Sequence, residues 1–341
     1  MSRNYRFAVV GATGAVGIEI LDVMSRRNFP VASLRLLASP RSAGKKLRFR
    51  GEDIPVQILG PDSFKDIDIA IFSAGSSTVK EYADIAVKAG AVVVDNSSAY
   101  RGVDSVPLIV PEINGEDVKK HQGIIANPNC TTAITLMGLY PLHQKFGVKR
   151  VFASSYQAVS GAGARAIDEL QSQVHAIANQ QPIEKDIFPH QIAFNVIPHV
   201  DVFLDSGYTK EEMKMQSEGQ KIMHLPSFRA SVTCVRVPIY RAHSVAISAE
   251  FEKTVDIAEA RAAIEAFPGV QVLDDPDSKH YPMPLFAAEQ DDCFVGRIRK
   301  DCALENGLAF WVAGDQLLKG AALNAVQIAE LLGRKHLQKA A

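Results

Sequence analysis

The sequence predicts an α/β protein, with a parallel sheet in its first part and a second domain of different character after it. Three observations lead there. A short apolar strand, Phe7-Ala8-Val9-Val10, runs straight into the glycine loop Gly11-Ala12-Thr13-Gly14-Ala15-Val16-Gly17 and a helical run at 18–26. The strand, small-residue loop and helix pattern returns at 67–89, and repeated βα units with right-handed crossovers build a parallel sheet. Past Cys130 the strands lengthen and two long polar insertions enter, and a chain of 341 residues has room for two cores.

The glycines at 11–17 allow a tight turn and a close approach of backbone to a pyrophosphate seated on the helix N-terminus. Their G-x-x-G-x-x-G spacing differs by one position from the usual fingerprint, so it is their place directly after the first strand that marks a dinucleotide site. The second strand, residues 34–38, ends where an NAD site would hold an acid for the adenosine ribose. Ser39-Pro40-Arg41-Ser42 stands there instead, and hydroxyls with an arginine suit the extra 2′-phosphate of NADP. Lys45 and Lys46 read as a solvated loop. Strands at 67–72 and 91–95 end in Ser73-Ala74-Gly75-Ser76 and Asn96-Ser97-Ser98, with Arg101 just beyond, and ligands of parallel sheets bind at such ends. Residues 124–126 form one more buried strand, which Pro128 ends. Cys130 follows at a strand-to-helix turn, where the positive end of the helix favours thiolate. A lone cysteine at a turn is by default a small buried filler, so a catalytic reading depends on its partners.

The strand Val148–Gln157 ends in an amide able to hold a water or a carbonyl oxygen, followed by Ser160, Gly161 and a helix over Ala164–Ala178. Residues 182–207, rich in Pro, His and Asp, read as an irregular excursion. A charged helix at 209–223 carries Glu218 and Lys221 on one face. Residues 231–238 and 244–251 read as two strands of an antiparallel sheet, with Arg236 on the opposite face from Val235 and Val237, and His243 closing the connection between them. The last strand, 308–313, leads through Gly314-Asp315-Gln316 into an amphipathic helix at 317–332.

A formal net charge of -1 gives no footing for a nucleic-acid or membrane surface, although small anions need only a local cluster of cations. The opening residues lack the apolar core of a secretory signal and no apolar run could span a bilayer, so the expected location is the cytoplasm. Cys130, Cys234, Cys293 and Cys302 include no C-x-x-C pair; they are expected as reduced thiols, and no metal site is expected.

A dinucleotide, an activated cysteine, a histidine and several cations suggest covalent aldehyde chemistry. A thiolate adds to an aldehyde, the hydride passes to a nicotinamide, and an acceptor cleaves the thioester. Histidine suits the base, and cations suit a carboxylate or an incoming phosphate. The chain resembles the aspartate-β-semialdehyde dehydrogenase family over essentially its whole length. The resemblance rests on Asn127-Pro128-Asn129-Cys130, on Tyr156-Gln157-Ala158-Val159-Ser160-Gly161-Ala162-Gly163, and on Cys234-Val235-Arg236 with His243-Ser244 beyond it. It implies Cys130 as the acyl-thioester nucleophile, Gln157 beside it, and His243 as acid/base catalyst. It further implies Arg236 on the substrate's α-carboxylate, Glu218 on its amino group, and Arg101, Asn129 and Lys221 on phosphate. Gly11, Thr13, Gly14, Ala15, Val16, Arg41, Ser42, Ser160, Gly161 and Gln316 would line the NADP site. By the same resemblance, a Rossmann domain (1–129, completed by 315–341) joins an α+β catalytic and dimerisation domain (130–314). The C-terminal helix would return to the first domain, and the assembly would be a homodimer or a tetramer. The implied reaction is reduction of 4-phospho-L-aspartate to the semialdehyde, toward lysine, threonine and methionine. The rivals are N-acetyl-γ-glutamyl-phosphate reductase and a catalytically silent paralogue.

Overall fold

The computed structural model describes residues 4–333. The chain divides into two units, one holding the described residues through Asn129 and from Ala321 onward, the other Cys130–Gly320. Residues 315–320, grouped with the first domain on sequence, cluster with the second unit.

In the first unit β1 (Tyr5–Val10), α1 (Ala15–Arg26), β2 (Val31–Ala38), β3 (Lys46–Phe49), β4 (Glu52–Ile58), β5 (Ile69–Phe72), α2 (Ser76–Lys88), β6 (Val92–Asp95), α3 (Pro111–Asn114) and β7 (Ile124–Ala126) follow one another. The sheet order is β3-β4-β2-β1-β5-β6-β7, parallel except for the β3-β4 hairpin. The order reverses on either side of β1, and such a switch point opens a ligand crevice beyond the strand ends. Gly11 lies there with φ 80°, so close to β5 that a Cβ would fall 2.0 Å from the Ser73 carbonyl oxygen. Gly17 likewise has no room for one, its Cβ meeting the Gly11 oxygen at 2.3 Å. The hairpin is absent from the sequence reading because its strands are polar; Arg50 (φ 49°) and Gly51 (φ 89°) make its turn.

The C-terminal helix is shorter than its amphipathic pattern: a π-turn over Leu318–Ala322 precedes α9 (Leu323–Leu331). It packs on α1, α3 and β6. Arg27 grips Glu330 with two bonds of 2.8 Å, and the buried Asn324 amide donates to Asn127 Oδ1 (2.7 Å) and the Ile109 oxygen (2.8 Å). The helix thus returns to the first domain.

The second unit runs α4 (Cys130–Phe146), β8 (Val148–Gln157), α5 (Ala164–Ala178), α6 (Lys210–Ile222), β9 (Arg229–Arg236), β10 (His243–Phe251), α7 (Ile257–Glu265), β11 (Val270–Val272), α8 (Pro284–Ala287), β12 (Cys293–Lys300) and β13 (Gly307–Gly314). Its sheet order is β11-β12-β13-β10-β8-β9. The expected pairing of β9 with β10 is corrected: β8 lies between them, antiparallel to β10 and parallel to β9. Their connection crosses the end of β8 instead of folding back as a hairpin, held by Val237 N–H on the Gln157 oxygen (3.0 Å) and Val159 N–H on the Ile239 oxygen (2.9 Å). Helix α4 covers one sheet face, packing on β8, β10, β12 and β13.

Candidate active site

Strand register brings the second unit's chemistry into one row. Gln157 pairs with Arg236, the next pair along is Tyr156 with Ser244, and His243 pairs with Gly314, so four neighbouring strands end together. On β8 the odd positions 151, 153, 155 and 157 are buried, which turns Gln157 to the side that also holds Cys234 and Arg236.

The Ala158 peptide ties the row together. Its N–H donates to His243 Nδ1 at 3.0 Å and its oxygen accepts from Arg236 Nη1 at 2.6 Å. An imidazole nitrogen that accepts carries no proton, so neutral His243 holds its hydrogen on Nε2. That Nε2 is buried and meets no partner among the described residues. Burial, then the nearby Arg236 charge, holds the His243 pKa well below its ordinary value, and burial also lowers that of Arg236. Gly161 closes over the pair: a Cβ there would stand 3.0 Å from Arg236 Nη1 and 3.2 Å from His243 Cε1. Ser160 Oγ donates to the Tyr240 oxygen and accepts from Gln316 Nε2, and Gln316 Oε1 accepts from Ala242 N–H at 2.8 Å. Ala242 sits in left-handed backbone at φ 68°, which this amide bond helps to hold.

Cys130 is the first residue of α4 and half-buried. Gly320 allows the chain to pass it, since a Cβ on that glycine would lie 2.7 Å from Cys130 Cβ and 3.4 Å from Gln316 Cβ. Arg236 interacts electrostatically with Cys130 and Cys234. Burial pushes the Cys234 thiol up to about 12, which leaves it protonated and unsuited to attack.

Gln157 has both ends of its amide engaged. Ser155 Oγ donates to Oε1 (3.0 Å), and Nε2 donates to Glu211 Oε1 (3.1 Å). Lys214 Nζ reaches Glu211 Oε2 at 2.8 Å. The acid and lysine at this place are therefore Glu211 and Lys214, whereas Glu218 and Lys221 lie two turns farther along α6, roughly 10 Å. One signal missed in the sequence bears on them. Thr209 and Glu212 form a capping box that fixes where α6 begins, and Glu212 Oε1 also takes Cys234 N–H at 2.9 Å. Of the acidic doublet, 212 is then committed to the cap and 211 is left to face Gln157.

In the first unit Gly14 caps α1 without a side chain, and Ala15 and Val16 open the helix, an arrangement that suits a phosphate. Thr13 Oγ1 donates to Ser42 Oγ at 3.2 Å, and exposed Arg41 lies in the same 3-10 turn as Ser42. Hydroxyls with a cation at the end of β2 fit a dinucleotide bearing a 2′-phosphate. Arg101 is held by its Nε on the Asn127 oxygen and its Nη2 on the Asn96 oxygen, both 2.8 Å, and Asn129, two residues after Asn127, is buried. Among the described residues no cluster of His, Cys, Asp or Glu is built to hold a metal, and no helix is long and apolar enough to cross a membrane.

Comparison with known proteins agrees with both halves. Residues 6–121 match the semialdehyde dehydrogenase NAD binding domain and residues 139–319 the semialdehyde dehydrogenase dimerisation domain. The aspartate-semialdehyde dehydrogenase of Aquifex aeolicus is 54% identical, over 98% of this chain and 99% of its own. The chain belongs to the aspartate-semialdehyde dehydrogenase family. The Bacillus subtilis member is 48% identical over 99% of this chain and 100% of its own. Among solved structures, Vibrio cholerae aspartate semialdehyde dehydrogenase II complexed with ASA superposes with a TM-score of 0.95 at 42% identity, covering 98% of this chain and all of that one. A Candida albicans family structure with NADP gives a TM-score of 0.77 at 26% identity, again covering 98% of this chain and 100% of its own.

Proposed function

We propose that the chain reduces 4-phospho-L-aspartate to L-aspartate 4-semialdehyde with NADPH, and runs the phosphate-dependent oxidation in reverse, through a thioester on Cys130. NADP, when bound, supplies or accepts the hydride. The positive end of α4 and the Arg236 charge favour Cys130 as thiolate. The thiolate attacks the acyl carbonyl, the C–O bond to phosphate breaks, and the thioester remains. Hydride addition and loss of thiolate then release the aldehyde.

The observation that carries this reading is the bond from Ala158 N–H to His243 Nδ1, because it leaves His243 a hydrogen-bond donor at Nε2. In that state His243 stabilises the oxyanion that forms when sulfur adds to the carbonyl, and the alkoxide can collapse without a separate base. Arg236 binds the substrate's α-carboxylate by its guanidinium fork. Glu211 takes the α-ammonium, the role read from sequence for Glu218. Gln157, fixed by Ser155 and Glu211, orients the reacting carbonyl. Arg101 and Asn129 take the phosphate, with Lys214 in the place read for Lys221. Gly11, Thr13, Gly14, Ala15, Val16, Arg41, Ser42, Ser160, Gly161 and Gln316 hold NADP.

A homodimer is proposed through the second sheet's face away from α4, which the dimerisation-domain match supports. Phe152 is 46% exposed there, and Tyr156 packs against Trp311 with ring centroids 5.2 Å apart. The proposed setting is cytoplasmic lysine, threonine and methionine biosynthesis.

Phosphate-dependent NADPH formation from L-aspartate 4-semialdehyde tests cofactor, acceptor and substrate together. Faster oxidation of N-acetylglutamate semialdehyde would overturn the substrate, and no turnover at all would favour a silent paralogue.

A further inference from the structure

Lys214 is clamped between two carboxylates. Besides Glu211, its Nζ meets Asp201 Oδ2 at 2.9 Å, and Asp201 comes from the irregular segment ahead of α6. The backbone of Asp201 is left-handed (φ 69°), and its Oδ1 accepts from Val202 N–H at 2.8 Å, which turns Oδ2 toward the lysine. The segment is pinned to the start of α6 by Lys210 N–H on the Val202 oxygen (2.9 Å) and a bridge between Phe203 and Thr209. The clamp joins a longer chain of bonds: Asp201 to Lys214, Lys214 to Glu211, Glu211 to Gln157, Gln157 to Ser155.

The charge count gives Asp201 a job. Glu211 and Lys214 alone would form a neutral pair, with the ammonium compensating the carboxylate. With Asp201 drawing on the same Nζ, the three groups carry one net negative charge. Lys210 acts on Asp201 from the same helix, and Arg236 acts on Glu211 from β9. If Arg236 receives the substrate's carboxylate, the residual negative charge at Glu211 is matched by an ammonium on the same substrate carbon.

We infer that Asp201 is a positioning residue that sets specificity for an unacylated α-ammonium, by sharing Lys214 so that Glu211 keeps part of its charge for the substrate. The inference rests on Glu211 as the ammonium's partner.

Asp201→Asn tests it in the full-length enzyme. Asparagine tolerates left-handed backbone and can still accept from Val202 N–H, so the loop keeps its shape while the charge goes. The KM for L-aspartate 4-semialdehyde should rise on the order of tenfold, the effect of one partly screened unit charge at this range. The KM for NADP and the melting temperature should stay as in wild type, and preference over the N-acetylated semialdehyde should narrow. Asp201→Glu should recover part of the lost affinity. An unchanged semialdehyde KM, or a joint fall of kcat and Tm with the preference intact, would overturn the inference. Wild-type turnover is the control: an inactive wild type refutes the functional reading and this inference with it, whereas an active wild type matched by Asp201→Asn refutes the inference alone.

Discussion

Gly161→Ala should separate activity from stability. A Cβ at this position would stand 3.0 Å from Arg236 Nη1, 3.2 Å from His243 Cε1 and 3.3 Å from His243 Nε2, so both side chains must give by a few tenths of an ångström. Neither can yield alone. Arg236 is bonded to the Ala158 oxygen at 2.6 Å and His243 to the Ala158 N–H at 3.0 Å, so movement of one strains the peptide that holds the other. If misplacement by about 1 Å costs about 100-fold, a shift of roughly a third of that predicts a kcat loss of about fivefold. The backbone takes alanine readily, because the φ of Gly161 lies outside the left-handed region. Its lower unfolded-state entropy contributes about 0.4–1 kcal/mol toward stability, offsetting part of the tight contact. Initial rates of NADPH formation and a thermal melt on the same preparation provide the measurement. Wild-type kcat in a folded variant would refute the claim that this glycine is required by Arg236 and His243.

Other outcomes follow from the same geometry. Cys130→Ala should abolish turnover and leave NADP binding, measured by calorimetry, unchanged; residual turnover at the wild-type rate would end the thioester mechanism. Glu211→Gln should lower kcat/KM by roughly tenfold or more, as expected for loss of a charged hydrogen-bonding group, and Glu218→Gln by much less. Equal losses would show that the wrong turn of the helix was assigned. Buried His243 stays neutral in the fold, whereas the unfolded chain takes up its proton near 6.5. The unfolded state therefore binds more protons below that pH, so the stabilisation is complete above about 6.5 and is lost as pH falls beneath it. The melting temperature of wild type should drop more steeply than that of His243→Gln between about pH 7 and pH 5, and parallel curves would contradict the buried neutral ring.

Features encoded by neighbouring residues were legible in the chain. The β1 strand, its glycine loop and α1 follow from apolar residues abutting a run that only glycine can turn so tightly, and Val148–Gln157 and Ala164–Ala178 have the bounds that their periodicity indicates. The start of α4 at Cys130 follows from Pro128 ending a strand. Alternation marked β9 and β10 as strands but carries no record of which strand lies beside them, and β8 came between. The same limit applied to the charged helix. Glu211 and Glu218 are separated by seven residues, as are Lys214 and Lys221, and seven residues return a helix to nearly the same face after two turns. Periodicity therefore assigns both pairs alike to one face. The sequence by itself determined the two-domain α/β plan, the strand-to-helix turn at Cys130 and the residue types gathered around it. Only tertiary structure, by setting the height of α6 against β8 and β9, decided which acid meets Gln157, and only the meeting of β8 with β10 at Ala158 decided which nitrogen of His243 holds the proton.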